Sequence, residues 1–151
     1  MGFPSGLRLD VEDEPTDADV ELLPHRLEAF NESQWPRHQP WHPLGVFVRD
    51  RVGNIAAGLA GETYAGWLFV RYLWVSDGLR GQGVGRELIG KAEGRALERG
   101  CHSAWLDTFS FQAPGFYRKL GYEVFGELDW SADHKRLFLR KRLEPSAEAH
   151  Q

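Results

Sequence analysis

A single cysteine, Cys101, excludes an internal disulfide and any cysteine-cluster zinc site. No apolar run approaches the ~20 residues that a membrane helix needs, so no membrane association is expected. The opening residues, MGFPSGLRLDVEDE, have neither the basic start nor the apolar stretch of a secretory signal. A reducing, cytoplasmic setting is therefore the expectation. Basic charge is not in excess either: 18 Lys and Arg against 22 Asp and Glu leave −4, which argues against a broad nucleic-acid surface. No His/Asp/Glu spacing resembles a metal site, and no metal is expected. With no internal repeat and no linker rich in Pro, Gly or Ser, the 151 residues read as one domain over 1–151, its core at about 5–143 and its tail, 144–151, frayed.

What is present is a folding composition, 42% hydrophobic and 26% charged. The charge is unevenly placed. Residues 1–32 hold nine acidic residues against Arg8 and Arg26, whereas the remainder carries 16 basic and 13 acidic residues and can tolerate an anion.

Leu7, Leu9 and Val11 alternate as in a half-buried strand. Thr16 or Asp17 can cap a helix carrying Val20, Leu22, Leu23, Leu27 and Phe30, kinked or split at Pro24. Asn31–Pro43, with three prolines, reads as a loop. A hairpin follows from Leu44, turning at Asp50–Asn54, and then a central strand, Trp67–Val75. A glycine-rich turn leads into a helix from about Val84 to Arg99, ended at Gly100. His102–Phe109 reads as a buried strand, Ala113–Leu120 as a short helix stopped by Gly121, and Tyr122–Leu128 and Lys135–Leu143 as closing strands. The sum is a mixed α/β domain.

The turn Leu79-Arg80-Gly81-Gln82-Gly83-Val84-Gly85-Arg86 leaves a run of main-chain amides unscreened by side chains. They lie at a helix N-terminus, whose unpaired N–H groups and partial positive charge favour an anion such as pyrophosphate. The same glycines are equally compatible with a tight strand-to-helix turn. A dinucleotide fingerprint from Gly81 would need glycine where Arg86 stands, and a Walker-type match from Gly85 reaches Gly90-Lys91 but then Ala92.

Leu73–Ile89, LWVSDGLRGQGVGRELI, resembles the acetyl-CoA-binding motif of the GNAT (Gcn5-related) N-acetyltransferases, Arg80, Gly83 and Gly85 filling its R/Q-x-x-G-x-G/A pattern. Ser110–Tyr122, SFQAPGFYRKLGY, resembles the second signature of that family, and the spacing between them, filled by one helix and one strand, fits as well. The resemblance implies the GNAT fold, a mixed central sheet of about six to seven strands with about four helices. It implies an acetyltransferase that takes acetyl-CoA as donor and acts by direct attack of an amine. The pyrophosphate would sit on Gln82–Arg86, with Arg80 and Gly81 beside it, and the pantetheine would pair with Leu73, Trp74 and Val75. Contacts would extend to Ala113 and Phe116. Ser110 stands where many members place an asparagine toward the pantetheine; Gln112 could substitute.

Tyr117 matches the family's tyrosine that protonates the departing sulfur. Many relatives carry a glutamate base on the central strand, but Trp67–Val75 has no carboxylate. Asp107, Glu62 or an ordered water could replace it. An acid amid the apolar AWLDTF either contacts a ligand or caps a backbone group, and Asp107 is the candidate taken forward beside Tyr117. The acceptor implied is a small, cationic amine; a protein amine, or a non-catalytic acyl-CoA-binding module, are the alternatives. A homodimer is possible. Cys101 reads as a buried filler that cannot pair with His102 on a strand. His25, His38 and His42 read as surface residues near an acceptor site that this family covers with its front helix. Arg136, Arg140, Lys141 and Arg142 read as a solvated edge strand.

Overall fold

The computed structural model describes residues 2–145, so most of the tail expected to fray (146–151) lies outside the described residues. Two compact units are distinguished, Met1–His38 and Gln39–Gln151.

In the first unit, α1 (Asp17–Gln34) starts at Thr16, whose hydroxyl accepts the Asp19 N–H at 3.2 Å. Pro24 lies inside a single continuous helix, correcting the expected split: the missing donor removes one hydrogen bond without ending the ladder. Its apolar residues Leu23, Leu27 and Phe30 are exposed. The expected strand at residues 7–11 is absent; that segment is irregular and exposed, for alternation without a paired neighbour does not make a ladder.

The second unit is built on a six-stranded sheet of order β1-β2-β3-β4-β6-β5. Its strands are β1 (His42–Arg49), β2 (Ile55–Tyr64), β3 (Trp67–Val75), β4 (Ser103–Phe109), β5 (Glu123–Asp129) and β6 (Lys135–Arg142). All neighbours are antiparallel except β3 and β4. The right-handed preference for parallel crossovers fits the intervening helix, α2 (Val84–Glu98). Leu88, Ile89, Ala92 and Ala96 form its buried stripe, and the two alanines let it lie close across β1–β3. Leu59, Leu68, Leu106 and Leu139 join that stripe in one core from the sheet, each fully buried and contributing about 1.5–3 kcal/mol. Cys101 is buried, as expected. A short helix, α3 (Pro114–Lys119), precedes β5. Six strands agree with the expected sheet; among the described residues three α-helices and one short 3-10 turn (Asp77–Leu79) stand for the four helices expected.

Two irregularities shape the site. Ala60 faces Tyr72 and Gly61 faces Val70, so Arg71 is an extra, bulged residue in β3. Only glycine fits opposite it: a Cβ on Gly61 would lie 2.0 Å from the Phe69 carbonyl oxygen. The bulge resets the alternation, putting Leu68, Val70, Leu73 and Val75 toward the core while Tyr72 and Trp74 stay outside. Beyond it β3 and β4 part, their pairing ending at Val70 and Leu106. The last strand's basic residues correct the edge-strand reading: β6 lies between β4 and β5, where its cations meet carboxylates on neighbouring elements.

Candidate active site

The glycine turn opens at the end of β3. Gly81 and Gly83 have φ of +76° and +79°, a left-handed conformation in which side chains are costly, and no atom lies within 4 Å of a Cβ built on either. Gly83 caps α2 with no side-chain cap. The first amide returned to the helix is that of Glu87, to the Gly83 carbonyl at 3.1 Å; the N–H groups of Val84, Gly85 and Arg86 precede it without intrahelical partners. Gly85 packs tightly: a Cβ there would come 3.1 Å from the Phe116 ring. These open amides at a positive helix end form a cradle suited to the pyrophosphate of a coenzyme A thioester.

Arg80 is turned back, its Nε donating to the Val75 carbonyl at 3.2 Å and its Nη1 pairing with Asp77 at 3.0 Å. Gln82 donates to the Gly78 carbonyl at 2.9 Å. Leu73 and Val75 pack on the core, whereas Trp74 is exposed beside the split. Arg86 instead lines a cleft of about 270 Å³ between α2 and α3, with Glu93, Lys119 and Lys141. Inside it Glu93 accepts from Tyr122 Oη at 2.8 Å and Lys141 Nζ at 3.0 Å. Burial, together with the Glu93 charge, pushes the Tyr122 phenol far up. Sequence reasoning missed this network, because its members lie 29 and 48 positions apart.

Tyr117 stands on the α2 side of the sheet, edge-on to Phe116 at 5.1 Å and to Tyr122 at 6.2 Å between ring centroids. Desolvation raises its pKa, so the phenol keeps its proton. Ser110 and Gln112 have local partners. Ser110 Oγ accepts the Lys135 N–H at 3.0 Å, and Gln112 Oε1 accepts the Phe109 N–H at 2.8 Å. Ala113, left-handed at φ +56°, starts α3.

On the opposite face two carboxylates flank the split. Glu62 receives Arg71 Nη2 at 2.5 Å on one oxygen and the Trp41 indole N–H on the other. Asp107, at the first β4 position beyond the last residue paired with β3, receives Arg136 Nε at 3.0 Å and Nη2 at 2.8 Å. Both contacts fall on Oδ1, and Oδ2 keeps its lone pairs for another donor. On the same face Phe69, opposite Glu62, stacks on Trp105, centroids 4.2 Å apart.

In the first unit, His38 corrects the surface reading, its side chain being 1% exposed. Arg37, left-handed at φ +71°, reverses the chain. His38 Nδ1 then donates to the Trp35 carbonyl at 2.8 Å, and its Nε2 bonds Glu28. That carbonyl bond raises the His38 pKa, against an opposing effect of burial, and Glu28 and Glu32 add to the rise. Potential ligand atoms of Glu28, Glu32 and His38 lie within 4.8 Å of one another, a grouping the sequence spacing did not suggest.

The acetyltransferase (GNAT) family model matches residues 11–122. The blasticidin-S acetyltransferase of Streptomyces morookaense is 48% identical over 99 residues, 65% of this chain and 73% of that protein. The streptothricin acetyltransferase of Streptomyces lavendulae is 36% identical over 86 residues, 54% of this chain and 46% of that protein. The crystal structure of an acetyltransferase from Bacillus cereus superposes with a TM-score of 0.76 at 34% identity, covering 89% of this chain and 98% of the other.

Proposed function

Because the chain belongs to the GNAT family and is an acyl-CoA-dependent acetyltransferase, we propose that it moves an acetyl group from acetyl-CoA to an amine of a small cationic molecule. The observation that carries this reading is the juxtaposition at the split. An open amide cradle follows β3, a half-buried phenol stands on one face and a carboxylate with a spare oxygen on the other. The names of two relatives, which refer to blasticidin S and streptothricin, support a small-molecule acceptor.

The amides of Val84–Arg86 hold the pyrophosphate, and Arg86 and Lys119 draw the phosphate-bearing end toward the cleft between α2 and α3. The unpaired edge of β3 beyond Val70 offers the pantetheine main-chain partners. Bound acetyl-CoA supplies the acetyl group as an activated thioester. Asp107 Oδ2 accepts a hydrogen bond from the incoming amine, orients it, and takes its proton as the new C–N bond forms. Tyr117 gives its proton to the sulfur as the C–S bond breaks. Glu62 is the weaker candidate base, since both its oxygens already accept from fixed donors. Release of CoA, followed with a thiol reagent against blasticidin S, streptothricin, polyamines and amino acids, tests the proposal. At least one amine accelerates release; silence across the panel despite tight acetyl-CoA binding would favour a non-catalytic acyl-CoA-binding module.

A further inference from the structure

The sheet face away from α2 repeats one arrangement three times: a guanidinium lies over an aromatic ring while a carboxylate holds it. Arg71 stands 4.9 Å from the Phe69 centroid and pairs with Glu62. Arg140 stands 5.5 Å from Phe125 and pairs with Glu123 at 3.0 Å. Arg136, paired with Asp107, lies 5.4 Å from Trp130, 5.6 Å from Phe138 and 5.9 Å from Phe109. The chemistry is consistent: a planar cation satisfies the ring's negative face by stacking and the carboxylate through its N–H fork.

The third arrangement alone has spare capacity beside the split. Trp130, in the β5–β6 turn, is held edge-on by Phe109 at 5.6 Å yet is 56% exposed. Phe111 stacks on Phe109 at 5.3 Å and is 61% exposed. Both rings thus have surface to offer near Asp107 and its uncommitted oxygen. An acceptor reaching Asp107 through its amine would meet these rings with its remaining part.

Resting on the function proposed above, we propose that Trp130 and Phe111 determine acceptor specificity by taking a planar cationic head group, guanidinium being the type, while the amine to be acetylated sits at Asp107. A flexible alkylammonium gains less there, because a compact, strongly hydrated charge cannot stack.

Agmatine and cadaverine separate the two cases: each carries a primary amine on a short chain, and they differ in ending on a guanidinium or an ammonium. Calorimetry of both ligands against the CoA-saturated protein is expected to give agmatine about tenfold tighter binding, within the range of cation–ring contacts. Trp130→Ala should erase that preference and Trp130→Phe keep most of it, with cadaverine affinity moving less than about twofold. Acetyl-CoA affinity should be unchanged in both variants, which reports an intact fold. Agmatine binding no tighter than cadaverine in the wild type, no binding of either included, would overturn the proposal; so would a preference surviving in Trp130→Ala. Acetyl-CoA binding and CoA release with the amine panel are read separately, and their failure removes the acetyltransferase reading without altering the measured head-group preference.

Discussion

Replacing Gly83 with valine tests the cradle with little collateral damage. Gly83 caps α2 at φ +79°, and no atom lies within 4 Å of a Cβ there, so the cost is conformational rather than a clash. A side chain in the left-handed region costs about 1–2 kcal/mol, and a branched one tends to the upper end. If the turn stays in place, that cost appears as stability and lowers Tm by about 2–8 °C for a chain of this size. If the turn relaxes, the amides of Val84, Gly85 and Arg86 are re-aimed, and restoring them on binding weakens acetyl-CoA by about 5- to 30-fold. Gly78, with open space at its Cβ and no left-handed φ, is the matched control; its alanine variant should bind within about twofold of wild type. The assay is calorimetric titration of acetyl-CoA beside a thermal melt. A Gly83→Val protein that melts with the wild type, its turn therefore relaxed, yet binds acetyl-CoA with unchanged affinity would refute the assignment of these amides to the cofactor.

Tyr117→Phe should lower kcat by about 10- to 1000-fold at unchanged acetyl-CoA affinity, the scale of a lost proton donor; a fully active variant removes Tyr117 from the mechanism. Because burial raises the Tyr117 pKa above its usual 10, its loss of proton can shape the kcat profile only on the far alkaline side. A limb at pH 8–9 that disappears in Tyr117→Phe would contradict this. Asp107→Asn keeps one oxygen for Arg136 but cannot take a proton, so kcat/KM for the amine should fall at least about 10-fold while Glu62→Gln leaves kcat within about twofold; the reverse pattern transfers the role to Glu62. His38 titrates above its ordinary 6.5, so the stabilisation it gives the end of α1 is full below that value and lost as pH rises through the raised one. Histidine NMR should show this, with Glu28→Gln lowering the midpoint; a His38 midpoint at or below 6.5 in the wild type contradicts the bonding pattern.

Legibility in the sequence followed the range of the signal. Trp67–Val75 and the helix beginning at Val84 match the structure because branched and aromatic runs, helical spacing and a terminal glycine are local cues. Leu7–Val11 carried an equally local alternation, yet a strand also needs a neighbour to bond, which no local pattern supplies. The run WLFVRYLWV reads as uninterrupted, and nothing in it marks Arg71 as the extra residue; the register with β2 does. Charges misled in the same way. Arg136 and Lys141 read as solvated until the fold brought Asp107 and Glu93 opposite them, whereas Arg140 pairs with Glu123 and stays exposed as read. His38 read as exposed until a left-handed Arg37 turned it back toward Glu28.

The two proton-handling groups proposed here stand on opposite faces of one sheet, an arrangement a continuous ladder would forbid, because no thioester could lie between them. The gap depends on β3 leaving β4 after Val70, next to the bulge at Arg71. The bulge in turn depends on Gly61, whose neighbouring carbonyl excludes any side chain. In the proposed mechanism a glycine that touches no reactant therefore stands beneath the chemistry, while the central strand, which has no carboxylate of its own, carries a bulged arginine beside it. Its charge is matched by Glu62 from the adjacent strand, which leaves Asp107, across the opening, with an oxygen uncommitted. The central strand thus has one carboxylate on each side of it, Glu62 occupied in neutralising the bulge and Asp107, in the mechanism proposed here, available to the amine.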